Sequence, residues 1–212
     1  MHPSLCERYD ALQLKYGAAG YHSVYACGCE DRPTLALVFM NPTARNLATA
    51  AAWTGGRYQW IGVKPIWQFL HQCGLISAEL NAQIQTMTPR DWTPGFAAQI
   101  NAELVQRKIY MTNLAKCTQV DARPLPDSVF RAYRDLLLEE LDAVKPQTVV
   151  LFGNQVASVT LGQKVSVNAA RRVPYNLKTP QQTFTAYAVH YPVGNNAHNA
   201  PKAVEDILWL TQ

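Results

Sequence analysis

The stretch Thr34–Asn41, TLALVFMN, decides the fold. It is an apolar run that ends abruptly in Asn41-Pro42-Thr43, a pattern typical of a buried strand followed by a turn. Two further strand-like runs end in polar residues, since IYMTN ends in Asn113 and FTAYAVH ends in His190. Open α/β sheets hold their ligands at the carboxyl ends of the strands. The three strand ends therefore predict a site built from two amides and one imidazole.

Helical periods alternate with these strands. Apolar residues recur at three- and four-residue steps, and prolines, glycines and polar caps mark the ends of the segments. QTVVLFG, which ends at Gly153, predicts another buried strand, whereas Thr43–Arg57 predicts a long loop or lid and Gly162–Gln182 an irregular segment. The predicted helices are Pro3–Tyr16, a helix from Pro65 to about Gly74, Thr93–Arg107, a helix from Asp127 or Ser128 to before Pro146, Asn154–Leu161, and about Ala200–Leu210.

Helices that stand between strands predict parallel pairing with both faces of the sheet covered. We therefore expect an α/β fold, a three-layer α/β/α sandwich with a central, mainly parallel four-stranded sheet. The chain has 212 residues and contains no repeat or linker. At about 100–200 residues per domain, this length predicts a single domain over residues 1–212.

Composition narrows the functional classes less than the strand ends do. The net charge of +4 and the isoelectric point near 8.8 are compatible with a polyanionic partner, but they fall short of the value above ~9 that indicates nucleic acid. The five cysteines are irregularly spaced, there is no leader pattern, and no apolar run approaches ~18 residues. We expect a cytoplasmic monomer without disulfides and without a membrane segment.

Four motifs in order resemble the uracil-DNA glycosylase superfamily. LVFMNP is similar to the Asn-Pro box of the single-strand-selective and mismatch-specific branches, and YMTNLAKC to the Thr-Asn-Val-Val-Lys-Cys strand of the thermostable branch. The segment from Asp121 to Gly162 is similar to that branch in its helix, Lys-Pro, strand and Leu-Gly turn. VHYPVGNNAHNA resembles the His-Pro-Ser loop, although it has His-Tyr-Pro. The resemblance extends from Thr34 to the carboxyl end.

The resemblance implies a monofunctional enzyme that hydrolyses the N-glycosidic bond of uracil in DNA with a water nucleophile. Asn41 then orients the water, and His190 donates a hydrogen bond to uracil O2 as negative charge develops there. Asn113 offers one donor and one acceptor, which match uracil O4 and N3–H and mismatch cytosine. Met40 and Pro42 flank Asn41 and are expected to contact the substrate.

An extruded base also needs an aromatic face. WIG at Trp60 is similar to the Phe-Val-Gly of the thermostable branch, which makes Trp60 the expected stacking residue and Tyr58 the second choice. In the last loop, Asn195 and Asn199 are the expected DNA contacts. Lys116 is the expected phosphate contact on the second motif.

The thermostable branch holds an iron-sulfur cluster on four cysteines, and Cys117 coincides with one of those positions. Cys6, Cys27 and Cys29 have a different spacing, and Tyr133 stands where the last ligand would be sought. We therefore expect no metal and no cofactor.

Three alternatives stay open at this point. The enzyme can act on another damaged or modified base, such as hypoxanthine, xanthine or a hydroxymethylated pyrimidine, because Phe39 and Thr43 replace glycines of the first box. The chain can be a catalytically inactive member that binds nucleic acid. It can also be an α/β enzyme for a small molecule, which would show no salt-sensitive affinity for DNA.

Overall fold

A computed structural model describes residues 2–212, except for the side chains of residues 195 and 196. It contains seven α-helices in the described residues: α1 Pro3–Tyr16, α2 Lys64–Gln72, α3 Ala78–Thr86, α4 Pro94–Gln106, α5 Asp127–Val144, α6 Asn154–Leu161 and α7 Ala200–Leu210. The strands are β1 Cys27–Gly28, β2 Leu35–Phe39, β3 Ile109–Asn113, β4 Thr148–Phe152, β5 Pro174–Lys178 and β6 Thr183–Val189.

The six strands form one mixed sheet in the order β1-β3-β2-β4-β6-β5. The four central strands are parallel, as expected, with Phe39 paired to Asn113 and Phe152 paired to Val189. The prediction of a four-stranded sheet is nevertheless wrong in the number of strands, because β1 and β5 add one antiparallel strand at each edge and make the sheet mixed. Strand β5 lies inside the segment that we expected to be irregular; only Leu177 of its five side chains is buried, so it lacks the apolar signature of a central strand.

Helices cover both faces of the sheet. The first core layer packs α2, α3, α4 and α7 against Leu35, Leu37 and Phe39 of β2. The second core layer packs α1, α5 and α6 against Ala36 and Val38 of the same strand. Because successive side chains of a strand point to opposite faces, both layers draw on every central strand, which explains the continuous apolar runs.

The predicted helices α1, α2, α4, α5, α6 and α7 are present, and α3 is additional. Helix α3 begins after Ser77, whose hydroxyl accepts a hydrogen bond from the amide of Leu80 at 3.2 Å. The Glu103 carboxylate accepts hydrogen bonds from the amide and the hydroxyl of Ser77. A carboxylate on α4 thus stabilises the start of α3. Among the described residues, none of the helices combines the length and apolar character that a membrane crossing requires.

Candidate functional site

A crevice forms where the chain leaves β2 and β4 in opposite directions. After β2 the chain continues to α2 in the first core layer, and after β4 it continues to α6 in the second. Such a divergence between neighbouring parallel strands opens a binding crevice at their carboxyl ends. A cleft of about 400 Å³ lies here. Its lining includes Met40 after β2, Phe152 and Gly153 at the end of β4, His190 and Tyr191 after β6, and Asn199 before α7.

The Asn41 segment lies directly after β2 and beside the exit of β3. The carbonyl of Met40 accepts a hydrogen bond from the amide of Ala115 at 3.0 Å, and the carbonyl of Pro42 accepts one from Gln119 at 3.1 Å. Asn41 is partly exposed, and its side-chain Nδ2 donates to the Pro42 carbonyl at 3.0 Å. Main-chain hydrogen bonds therefore hold the segment, while the side-chain amide of Asn41 is hydrogen-bonded only within its own turn.

His190 follows the last residue of β6 and lines the cleft. The residue is buried, and its Nε2 has no hydrogen-bond partner among the described residues. A buried polar atom without a partner costs free energy, and such atoms concentrate at functional sites. The unpartnered Nε2 therefore makes His190 the strongest candidate for contact with a ligand in the cleft.

Burial also sets the protonation state of His190. Desolvation lowers the pKa of the imidazole below its ordinary 6.5, and the positive charge of Lys202 lowers it further. Asp206 acts in the opposite direction, whereas Arg171 and His198 add to the lowering. The imidazole is therefore neutral at pH 7 and carries one N–H donor.

Asn113 is the last residue of β3 and is almost fully buried, with 1% of its surface exposed. Its Nδ2 donates to Oε1 of Gln59 at 2.9 Å. Its Oδ1 has no hydrogen-bond partner among the described residues. Gln59 in turn donates through Nε2 to the carbonyl of Tyr25 at 3.0 Å. The Nδ2 of Asn113 is thus occupied by Gln59, whereas its Oδ1 has no partner among the described residues.

Trp60 lies in the first core layer, beside the strand ends. Its ring meets Phe39 edge-on, with centroids 5.1 Å apart, and Phe39 stacks flat on Phe152 at 4.5 Å. The backbone of Trp60 is left-handed at φ 62, and its carbonyl accepts a hydrogen bond from the indole of Trp67 at 2.9 Å. The indole N–H of Trp60 has no partner among the described residues. In this conformation Trp60 is a core residue that does not line the cleft.

The last loop contributes Asn199, which lines the cleft and whose Nδ2 lies 2.9 Å from the Nε2 of exposed His198. The side chain of Asn195 lies outside the described residues, so its expected DNA contact stays a prediction.

Gly153 also lines the cleft, at the end of β4. It has φ +89, a conformation that L side chains rarely adopt, and its amide donates to the Val189 carbonyl at 2.8 Å. Glycine is therefore required where β4 turns into α6.

Lys116 is a correction to the expected phosphate contact. Its side chain is fully buried and forms an ion pair with buried Glu140 at 2.9 Å. The ammonium group also donates to Oγ1 of Thr112 at 2.5 Å and to the carbonyl of Asn113 at 2.6 Å. The expected role was wrong because the second core layer, with Glu140 on α5, encloses this lysine. Its contact with the Asn113 carbonyl ties the end of β3 to the core.

The cysteines do not fit an iron-sulfur cluster. Cys27 belongs to the first core layer and Cys117 to the second, on opposite faces of the sheet. Cys29 donates to the carbonyl of Asp31 at 3.2 Å. Among the described residues, no group of three or more histidine, cysteine, aspartate or glutamate side chains is arranged to hold a metal ion.

The predicted residues therefore divide into two sets. Met40, His190 and Asn199 meet in the cleft. Asn41, Pro42, Asn113 and Trp60 are not among the residues that line it; Asn113 and Trp60 are buried, and Trp60 belongs to the first core layer. With strands ~4.8 Å apart, the backbones of β3 and β6 are separated by roughly 14 Å, so a ligand at the ends of β2 and β4 lies between the two sets.

Gln59 is the residue of this region that the sequence did not predict. The only available signal was an amide placed inside the aromatic run YQW, directly before Trp60.

A family model described as the uracil DNA glycosylase superfamily matches residues 28–208 of the chain. The match includes all four central strands and every side chain that lines the cleft.

Proposed function

Because the chain belongs to the uracil DNA glycosylase superfamily, a family of DNA glycosylases, we propose that it removes uracil from DNA. The reaction is hydrolysis of the N-glycosidic bond by water, without a covalent intermediate. The observation that carries the proposal is the unpartnered, buried Nε2 of His190 in a cleft at the strand ends.

His190 acts on the leaving base. As the glycosidic bond breaks, negative charge develops on uracil, and a preorganised donor at O2 stabilises it. The lowered pKa keeps the imidazole neutral, so it has a single N–H to donate to the base. No proton needs to leave the histidine before the reaction.

Asn113 reads the base. Its free Oδ1 accepts from uracil N3–H, and its Nδ2 donates to uracil O4 in place of Gln59. Cytosine presents a donor and an acceptor in reverse order, which would leave buried groups unpaired and be rejected. Binding of the base exchanges one hydrogen bond of Asn113 for another.

Asn41 positions the water from the opposite side of the sugar. Its Nδ2 contacts only the adjacent Pro42 carbonyl, and rotation of the side chain releases the amide at a net cost of about 1 kcal/mol. Asn41 is a weaker base than a carboxylate, so stabilisation of the leaving anion by His190 supplies much of the catalysis. Stacking of the base on Trp60, worth about 1–3 kcal/mol, requires the indole to leave its buried contact with Phe39.

The test is strand cleavage by alkali after incubation with an oligonucleotide that contains one uracil. We expect cleavage with the unaltered protein and its loss in Asn41→Ala and His190→Ala. His22→Ala, which alters an exposed histidine that does not line the cleft, is the matched control and should stay active. Full activity of His190→Ala would refute the proposed role.

Binding of nucleic acid without excision is the second candidate. Two observations favour it, because Gln59 occupies the Nδ2 of Asn113 and Trp60 is buried against Phe39. Retention of DNA in a gel shift, with no alkali-labile sites on oligonucleotides containing uracil, hypoxanthine or xanthine, would establish it. Excision of hypoxanthine or xanthine in place of uracil would assign the enzyme to a different base.

A further inference from the structure

A groove separate from the cleft lies between the loop that follows Asn41-Pro42 and the segment that precedes β1. Its volume is about 520 Å³, within the range of pockets that hold small ligands. Tyr25 and Ala26 form one wall, and residues 53–58 form the other. Trp53 and Tyr58 pack against the first core layer, whereas Tyr25 and Ala26 pack against the second. The groove therefore lies at the edge of the sandwich, where the two layers meet.

The walls of the groove are aromatic. Trp53 is half-buried and lies across Gly56, where an added Cβ would come within 2.2 Å of the indole ring. Glycine at this position lets the indole lie against the backbone. Hydrogen bonds hold the loop, since the Gly56 carbonyl accepts from Ala48 at 2.7 Å and the amide of Gly55 donates to the Ala48 carbonyl at 3.2 Å. The aromatic surface is thus presented by an anchored loop.

The groove also contains polar groups that suit a phosphodiester strand. Arg57 is exposed, and its guanidinium donates to the Ser23 carbonyl at 2.8 Å while lying 5.9 Å from the centre of the Tyr25 ring. Ser23 is among the lining residues; it is fully buried, and its hydroxyl has no hydrogen-bond partner among the described residues. The acidic group Asp10 accepts from the Tyr25 hydroxyl at 2.7 Å, at the end of the ring.

The groove is connected to the base-reading residue. Gln59 follows directly after the groove residue Tyr58, donates to the carbonyl of Tyr25 and accepts from Nδ2 of Asn113. A ligand that moves Tyr25 or the segment Arg57–Tyr58 therefore also moves Gln59, the side chain that occupies the Nδ2 of Asn113. No other described group accepts from that Nδ2.

We propose that this groove binds an unpaired nucleobase of the DNA strand, with Arg57 on the adjacent phosphate. The inference rests on the proposed function in one respect, that DNA is the substrate. Aromatic faces bind bases without regard to sequence, and a guanidinium held beside an aromatic ring contacts phosphate, as in proteins that bind single strands. The groove thus selects substrates in which the neighbourhood of the target base is single-stranded.

The experiment measures binding of a labelled oligothymidylate without uracil by fluorescence anisotropy. Trp53→Ala should weaken binding by about 5- to 150-fold, the effect of one base-aromatic stack. Arg57→Gln should reduce the slope of log affinity against log salt concentration by about 0.7, the loss of one phosphate contact on a single strand. Trp209→Ala, which removes a 39%-exposed tryptophan on α7, is the matched control and should bind like the unaltered protein.

A duplex of the same sequence should bind more weakly and should lose little affinity in Trp53→Ala. Equal losses on duplex and single strand, or unchanged binding in both variants, would overturn the proposal. Arg57→Gln keeps the test decisive if Trp53→Ala does not fold, as judged by circular dichroism. Uracil excision assayed in parallel separates the two proposals. Binding in the groove without excision refutes the glycosylase activity alone, and excision with unchanged oligothymidylate binding in both variants refutes the groove alone.

Discussion

Replacement of Lys116 by methionine tests how much the buried ion pair stabilises the fold. Lys116 is 0% exposed and Glu140 is 1% exposed, so neither charge is solvated by water. The carboxylate accepts from the hydroxyls of Tyr9 at 2.6 Å, Thr112 at 2.6 Å and Tyr110 at 3.0 Å. Loss of one partner from a buried pair costs about 3–5 kcal/mol of unfolding free energy, because the other charge stays behind without compensation.

Because the three hydroxyls still donate to the Glu140 carboxylate, Lys116→Met should cost an amount near the lower end of this range, about 3 kcal/mol. Glu140→Gln should cost more, since the buried ammonium then has only neutral acceptors, among them Thr112 and the Asn113 carbonyl, and no opposite charge. In the double variant no charge remains uncompensated. Its loss should therefore be smaller than the sum of the two single losses by at least about 1 kcal/mol.

The assay is urea unfolding at pH 7, with constant m-values as the sign that only stability has changed. Arg8→Met is the matched control, because Arg8 pairs with the neighbouring residue Glu139 while both side chains are largely exposed, at 51% and 39%. That pair should contribute less than about 1 kcal/mol. If Lys116→Met costs no more than Arg8→Met, the reasoning from burial is refuted.

Three further predictions concern the site. His190→Gln should lower kcat for uracil excision by about 10²- to 10³-fold, measured in single-turnover assays, and an unchanged kcat would exclude a role at O2. Asn113→Ala should abolish excision and destabilise the fold by about 1–3 kcal/mol in urea, because Gln59 loses its buried donor. The lowered pKa of His190 means that the unfolded chain binds more protons, so stability should fall as pH drops below 6.5. His190→Gln should lack that part of the loss, measured as urea midpoints at about pH 7.5 and about pH 5.5.

The sequence predicted the central strands and most helices because their signals are local. Helix α6 was placed at Asn154–Leu161, as the structure has it, since a glycine stands at each end and the apolar period lies between them. Strands β2 and β4 were recognisable because helices cover both of their faces, which requires apolar side chains at every position. Strands β1 and β5 gave no such signal, because an edge strand is defined by its partner and not by its own residues.

The candidate site was predicted in its residues more than in its arrangement. The strand ends named Asn41, Asn113 and His190, and of these three His190 lines the cleft. That Asn113 is closed off depends on Gln59, 54 residues away in the chain. That Lys116 is a core residue depends on Glu140, 24 residues away.

The amino-acid sequence by itself determined the order of the elements, the parallel centre of the sheet and the polar residues that end its strands. These properties follow from side-chain periodicity and backbone conformation, which act over a few neighbouring residues. Only the tertiary structure decided which of those residues face a common space, which are enclosed, and which protonation state His190 adopts. Burial and pairing are set by groups that are distant in the chain. The sequence shows the same charged or amide residue whether its side chain is in water or in the core, although its pKa and hydrogen bonds differ between the two.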